Sequence, residues 1–469
     1  MISPKSPLLV IVLSGLLVSL FSCNKEFDGN NYVAYFGGEV SNPTSRFVLF
    51  CKDSEIIDTI PLKNDNTFFI KFDSLTPGLY SFKHNPEYQY VYFDKNDSLM
   101  VQINSKEFDE SIVFCGRGDE KNNFLMELYL KNEADKQKMF DVFDYNLPHF
   151  ISTIDSSYQS NLTYYSTKKN LIKWSKNFDH YAKATLNFHY YSKKELYPTL
   201  HKIRTGADVF PQMPKDFYNY RKKVDFNDVS LLSYTPYLNY ITHMLNNVGA
   251  ITYHHHLSDV DIALKVNVNK LHIADTLISN SEVKNRIFNG IAFTYLLEDQ
   301  NMVNNHKFFE TYNRLSSDKS QKNEIVEIGK SIQLLAVGKS LPAVNLTDIN
   351  GNQISSSTLL KPKTVLFFWT ENASSHLAAA HRKVIDLKKK HPEYQFIAIN
   401  LDREQSKWKE VLSVYKFGGI KEFRGSNFEE LRKIWVINKI HRTIVLDENG
   451  TIKNAFANLF DINFDKNLE

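Results

Sequence analysis

The sequence predicts a multidomain chain: an N-terminal all-β sandwich, an all-α middle and a C-terminal α/β domain. Three observations predict it. Short runs rich in Val, Ile, Tyr and Phe, separated by turn signals, fill residues 31–117. Apolar residues at helical spacing, punctuated by prolines, fill residues 118–335. Strand and helix patterns alternate over residues 336–469 around one uncharged run, Thr364–Trp369. The length of 469 residues agrees, since one core rarely grows past ~250–300 residues.

Residues 1–22 read as a targeting segment. Lys5 gives a sparse positive region, Leu8–Leu20 an apolar core, and Leu20-Phe21-Ser22-Cys23 follows. The apolar run falls short of the ~20 residues that span a membrane. The sequence ending in Cys23 resembles a bacterial lipobox, whose Cys becomes the lipidated first residue after cleavage. The resemblance implies a lipid on Cys23, a polar tether over residues 23–30, and a chain held to a membrane by acyl groups.

In the β region the expected strands are Phe47–Cys51, Ile56–Pro61, Phe68–Phe72, Leu79–His84, Tyr88–Phe93, Leu99–Ile103 and Ser111–Phe114. Lys63-Asn64-Asp65-Asn66, Thr76-Pro77-Gly78, Asn85-Pro86 and Lys95-Asn96-Asp97 supply the turns. Cys115-Gly116-Arg117-Gly118 closes the region, and Asn122–Leu130 opens an amphipathic helix. Further helical patterns cover Leu171–Tyr190, Phe217–Tyr220, Leu238–Leu245, Val260–Leu277, Val283–Leu297 and Phe308–Leu315. Pro148, Pro198, Pro211, Pro214 and Pro236 are expected at helix ends or in loops. His254-His255-His256 is the obvious metal suspect, with Asp259 nearby. Adjacent residues on a helix point apart, however, and no known ligand motif is completed.

Composition excludes some classes. The formal net charge is +3 and no long basic run exists, so nothing points to nucleic acid. Of three cysteines, Cys23 is assigned to the lipid. An oxidising envelope would allow Cys51 and Cys115 to pair; the sequence leaves a disulfide and two buried free thiols both open. No cofactor signature and no resident-metal motif is present.

The C-terminal part holds the most specific pattern. Thr364–Val384 reads TVLFFWTENASSHLAAAHRKV, a buried strand, a sharp turn and a helix starting near Ala373. Leu377, Ala380, Val384 and Leu387 share one face of that helix. Val337-Gly338 through Pro342, the Asn350-Gly351 hairpin turn, the strand Tyr394–Asn400, helices at Gln405–Tyr415 and Phe428–Val436, and the strand Ile444–Asp447 complete the order. This order, with Phe368-Trp369 before the turn, resembles TlpA/ResA-like, AhpC/TSA-type thioredoxin-like proteins. With the sandwich and the helical middle, it resembles Bacteroidota lipoproteins that carry such a domain. The resemblance implies a thioredoxin-like domain over residues 336–469.

The resemblance also shows what is missing. The family's two active-site cysteines fall on Ala373 and His376, and its cis-proline on His441. In the family a thiol at the helix N-terminus is made acidic by free amides and the helix dipole. Alanine has no group to ionise. His376, His441, Ser374 and Ser375 are expected near one another, with Glu371 as a third member of any His-based site. The expectation is a redox-inactive, lipid-anchored lipoprotein of the cell envelope. It would sit on the outer membrane, facing periplasm or exterior, and bind an envelope protein or peptide. A TlpA-type thiol-disulfide oxidoreductase and a His-based metal site are the alternatives.

Overall fold

The computed structural model describes residues 32–469, apart from 54, 85–86, 139–140, 254–260, 299–300, 403–404, 416, 418, 426 and 438, and apart from the side chains of 138, 298, 302, 319–322, 324, 372 and 374. Cys23 with its targeting segment and tether, and His254, His255, His256 and Asp259, lie outside the described residues. The chain divides into two compact units. One comprises the described residues up to Lys131 with Ser166–His180; the other comprises Asn132–Tyr165 with Tyr181–Glu469.

The first unit is built on β1 (Ala34–Ser41), β2 (Phe47–Lys52), β3 (Glu55–Pro61), β4 (Thr67–Phe72), β5 (Gly78–His84), β6 (Glu87–Phe93), β7 (Ser98–Asn104), a short α1 (Phe108–Ser111) and β8 (Val113–Arg117). They form two four-stranded sheets, ordered β4-β1-β7-β8 and β3-β2-β5-β6. Side chains from both sheets share one core, so the sandwich expectation holds. Phe36 sits at its centre, its ring 5.4–6.1 Å from Phe50, Phe68, Phe82 and Phe93.

Phe36 lies on β1, which the sequence reading misses. Gly37-Gly38 in mid-strand reads as a break. The structure gives the reason for both glycines. β1 runs between β4 and β7, and a Cβ on Gly38 would stand 2.0 Å from the Val101 carbonyl oxygen. The segment expected as the strand Ser111–Phe114 also shifts: Ser111 ends α1 and the strand starts at Val113.

The Gly116-Arg117-Gly118 signature has a local cause. Both glycines have positive φ, +105° and +98°. A Cβ on Gly118 would meet the Asp97 carboxylate at 2.5 Å. That carboxylate is buried and takes an ion pair from Lys121, also buried, at 2.5 Å. Burial pushes the Asp97 carboxyl above its ordinary range, and Lys121 opposes the shift. The glycines thus make room for a buried charge pair that ties the end of β8 to the following helix.

Cys51 and Cys115 are not bonded to each other; both are free. Cys51 is buried on β2 and Cys115 is exposed on β8, in the opposite sheet, so only one of them is the buried thiol expected.

The helices of the middle region are α2 (Asp119–Lys138), α3 (Leu147–Ile172), α4 (Lys176–Thr205), α5 (Thr235–Thr252), α6 (Ile262–Leu277), α7 (Ser281–Glu298), α8 (Met302–Leu315) and α9 (Lys319–Leu334). Three expectations need correction. The pattern Leu171–Tyr190 is broken, because Lys173 turns left-handed at φ +53° and the Ser175 hydroxyl caps the new helix by accepting the Phe178 N–H. Pro198 lies inside α4, where buried Glu195 and Tyr197 hold the chain helical across it. Phe217–Tyr220 is not an α-helix; its last two residues begin a 3-10 turn, Asn219–Lys223.

Glu195 is the polar anchor of the second unit. Its side chain is fully buried. It accepts from the Tyr220 hydroxyl at 2.7 Å, from Arg221 Nε and Nη2 at 2.8 and 2.6 Å, and from Asn247 Nδ2 at 2.7 Å. Four donors on one carboxylate compensate its lost hydration.

The C-terminal α/β part adds β9 (Asn345–Thr347), β10 (Gln353–Ser355), β11 (Thr364–Trp369), α10 (Ser374–Lys390), β12 (Gln395–Asn400), α11 (Gln405–Val414), β13 (Lys421–Gly425), α12 (Phe428–Ile434), β14 (Arg442–Leu446) and β15 (Ile452–Asn458). The strand order is β10-β9-β13-β12-β11-β14-β15. β11, β12 and β13 run parallel, and β14 pairs antiparallel to β11. β13 is unread in the sequence because Lys421-Glu422-Phe423-Arg424-Gly425 alternates charges around one apolar residue. Every residue of β11 is buried, and Leu377, Ala380, Val384 and Leu387 of α10 pack in its core, as expected.

Candidate functional site

The turn from β11 to α10 is pinned by one carboxylate. Asp402 follows β12 and accepts from the Thr370 hydroxyl, the Glu371 N–H at 2.8 Å and Asn400 Nδ2 at 2.7 Å. Ala373 then forms the N-cap of α10 and offers no side-chain cap. The helix N-terminus therefore presents free amides, but no ionisable sulfur.

His376 lies in the first turn of α10. Neither ring nitrogen has a hydrogen-bond partner among the described residues, and the ring edge meets Phe460 at 5.5 Å. Burial lowers the pKa of His376 first, and His441 and His381 lower it further. Burial, with Lys439 second, also lowers the pKa of His441. Burial thus favours the neutral form of both imidazoles, and neither has an orienting carboxylate among the described residues. Glu371 contacts Asp402 through its backbone and does not join them. Ser375 is exposed, and the Ser374 side chain lies outside the described residues. Among the described residues no group of three or more His, Cys, Asp or Glu is arranged to hold a metal.

A larger polar cluster lies behind this turn and was not read from the sequence. His381 is buried on α10. Its Nδ1 is 2.7 Å from the Leu377 carbonyl oxygen and its Nε2 is 3.1 Å from Glu422 Oε1. Both nitrogens face oxygens. Trp369 Nε1 donates to Glu422 Oε2 at 3.1 Å. Phe417 stacks on the imidazole at 3.6 Å, and Phe367 and Trp369 meet it edge-on. The available signal was a histidine inside the apolar stripe Leu377, Ala380, Val384. Glu422 gave none, because β13 itself was not legible.

Arg442, next to His441, is also buried. It donates through Nε to the Ala455 carbonyl at 2.8 Å and through Nη1 to the Val436 carbonyl, and it lies 4.1 Å over the Phe456 ring. It makes no ion pair among the described residues, and burial pushes its pKa down to about 9.

Residues 362–452 match a thioredoxin-like family model. The match falls on the strand, turn and helix described above, and it identifies the domain at this end of the chain. The comparison with curated proteins gives no match. Three solved structures resemble the thioredoxin-like domain. One, from Bacteroides vulgatus, is provisionally named a thiol-disulfide oxidoreductase: 18% identity, 29% of this chain and 96% of that chain, TM-score 0.27. The second is a domain of a provisionally named thiol-disulfide isomerase from Cytophaga hutchinsonii: 24% identity, 28% and 89% covered, TM-score 0.25. The third is a thiol:disulfide interchange protein from a Bacteroides species: 17% identity, 25% and 78% covered, TM-score 0.22. Likenesses at this level carry no argument about this chain's chemistry.

The histidines make a pH prediction. His84, His243, His376 and His441 all have lowered pKa values, and His189 is pushed down to about 4, by burial first and Lys193 second. Such groups bind more protons unfolded than folded between the two pKa values. Stability is therefore full above about 6.5 and falls as the pH drops toward 4, by up to ~1.4 kcal/mol per unit for each histidine. Urea midpoints should be lower at pH 5 than at pH 7.5, and His189→Gln should flatten that slope. An unchanged midpoint would refute the assignment.

Proposed function

We propose that this chain is a membrane-anchored lipoprotein of the cell envelope whose thioredoxin-like domain binds a protein or peptide without dithiol chemistry. The carrying observation is the residue at the helix N-terminus, Ala373, with His376, whose ring nitrogens have no hydrogen-bond partner among the described residues, at the second motif position. No cysteine occurs after Cys115, so the domain has no thiol of its own. Burial raises the Cys51 thiol pKa, which disfavours the reactive thiolate. An apolar side chain stands open beside the site: Phe460, on His376, is 43% exposed. Such exposure beside a non-reactive site favours binding.

The anchor is the lipid on Cys23, which the sequence Leu20-Phe21-Ser22-Cys23 supports. No described helix is long and apolar enough to cross a membrane. Outer-membrane attachment, periplasmic or surface-facing, follows from the resemblance to Bacteroidota lipoproteins. Changing Cys23 to Ser should release the protein from the membrane fraction.

The deciding experiment is insulin disulfide reduction with purified protein, beside thiol labelling. We expect no turnover, labelling of Cys115 in the native state, and labelling of Cys51 only after unfolding. The second reading, a thiol-disulfide oxidoreductase, rests on exposed Cys115. Turnover that disappears in Cys115→Ser would establish it and overturn ours.

A further inference from the structure

The turn between α3 and α4 lies at the end of the first unit where the described chain begins. Two contacts tie these places together. The Ser175 hydroxyl, in the turn, donates to the Asp94 carboxylate, with both oxygens at 3.1 Å. Lys95, the next residue, holds its ammonium 4.9 Å over the Tyr32 ring. Lys173, left-handed at φ +53°, ends α3, and Trp174 turns onto Phe124 and Phe178, with ring centres 4.8 and 5.0 Å away. Leu171 is left facing out, 73% exposed, and Tyr32 is 42% exposed. Lysines surround them. Glu127 matches Lys168 at 3.1 Å and Asp179 matches Lys169 at 2.8 Å, while buried Lys121 holds Asp94 and Asp97. Lys95, Lys173 and Lys176 are exposed and make no ion pair among the described residues. Asp119 and Glu120, at the start of α2, offset part of their charge. The surface is therefore amphipathic, an apolar tip among cations.

We propose that this tip docks on the phospholipid surface that holds the Cys23 anchor, with Leu171 in the apolar boundary, Tyr32 at head-group level, and Lys95, Lys173 and Lys176 on head-group phosphates. The inference rests on the lipidation of Cys23 proposed above. From Cys23 to Tyr32 the chain reaches at most about 30 Å, even fully extended. An acyl anchor at one end of that span keeps Tyr32, and the tip beside it, close to the bilayer and makes its contact with lipid effectively intramolecular. Weak contacts then suffice. One leucine and three lysines do not recruit a free protein, but they orient a tethered one.

The test uses the purified full chain in vesicles of phosphatidylethanolamine and phosphatidylglycerol, with no other protein present. In a Cys115→Ser background, Asn170→Cys carries an environment-sensitive dye next to the tip. As a control, Lys106→Cys carries it beyond the far end of β7, the strand that follows Lys95. The dye beside the tip should shift to the blue and be quenched by nitroxide-labelled phospholipid; the control dye should do neither. Leu171→Asp, or Lys173→Glu with Lys176→Glu, should abolish the shift and the quenching while the protein stays with the vesicles. These side chains are exposed, so the variants should fold. Co-sedimentation and the acyl mass on Cys23 report the anchor separately. A chain without acyl mass that stays in solution would overturn the anchor and the docking together. A vesicle-bound chain whose tip dye remains in water would leave the anchor standing, assign the tip to another partner, and overturn the docking alone. Equal quenching of the control dye, or quenching indifferent to both sets of substitutions, would overturn it as well.

Discussion

Replacing Glu195 by alanine should destabilise the second unit by about 3–5 kcal/mol, the loss typical when one partner of a buried ion pair is removed. The carboxylate is fully buried and Arg221, its partner, is 21% exposed, so the guanidinium left behind gains little water. Tyr220 and Asn247 lose their acceptor at the same time. Urea unfolding measures the change. Tyr220→Phe removes one neutral donor to the same carboxylate and should cost only about 1–2 kcal/mol. A Glu195→Ala protein as stable as the parent would show that the network contributes nothing, and that α4 is held across Pro198 by apolar packing alone.

The second large effect belongs to the thioredoxin-like domain. Glu422→Ala should cost about 2–4 kcal/mol, since it leaves the His381 imidazole and the Trp369 indole without their shared acceptor. The loss is local in origin, because β13 carries Glu422 directly beside β12, next to β11. Trp369 reports it: the indole loses a carboxylate at 3.1 Å, so its fluorescence should change in the native state before any unfolding. Glu422→Gln should recover only part of the stability. One amide oxygen replaces two carboxylate oxygens, and the amide nitrogen must face a donor. If Glu422→Ala unfolds at the parent midpoint, the cluster is not a stabilising centre of this domain.

These two carboxylates show where reading the sequence stops. Periodicity carried the large features. The uncharged run Thr364–Trp369 is a fully buried strand, and the stripe Leu377, Ala380, Val384, Leu387 is the buried face of α10. Turn chemistry located the hairpins, as at Asn350-Gly351, where Gly351 has φ +97°. β1 failed because its two glycines exist for the close approach of neighbouring strands, which no local window contains. β13 failed because its charged residues find partners distant in sequence: Glu422 on α10 and β11, Lys421 on β12 and Arg424 at the Asp402 carbonyl. The disulfide question had no sequence answer at all, since spacing does not say which sheet each cysteine occupies.

The sequence alone determined the three-part architecture and the absence of sulfur at the motif positions, Ala373 and His376. Both are properties of residue type and local period, and neither depends on contacts. Only the tertiary structure decided which polar groups are satisfied. It gave Glu195 four donors and joined His381 to Glu422. It left His376 without a hydrogen-bond partner and Arg442 without an ion-pair partner among the described residues. The reason is physical: a hydrogen bond or a buried charge is stabilised by whatever stands within about 3 Å, and the chain brings those partners from tens of residues away.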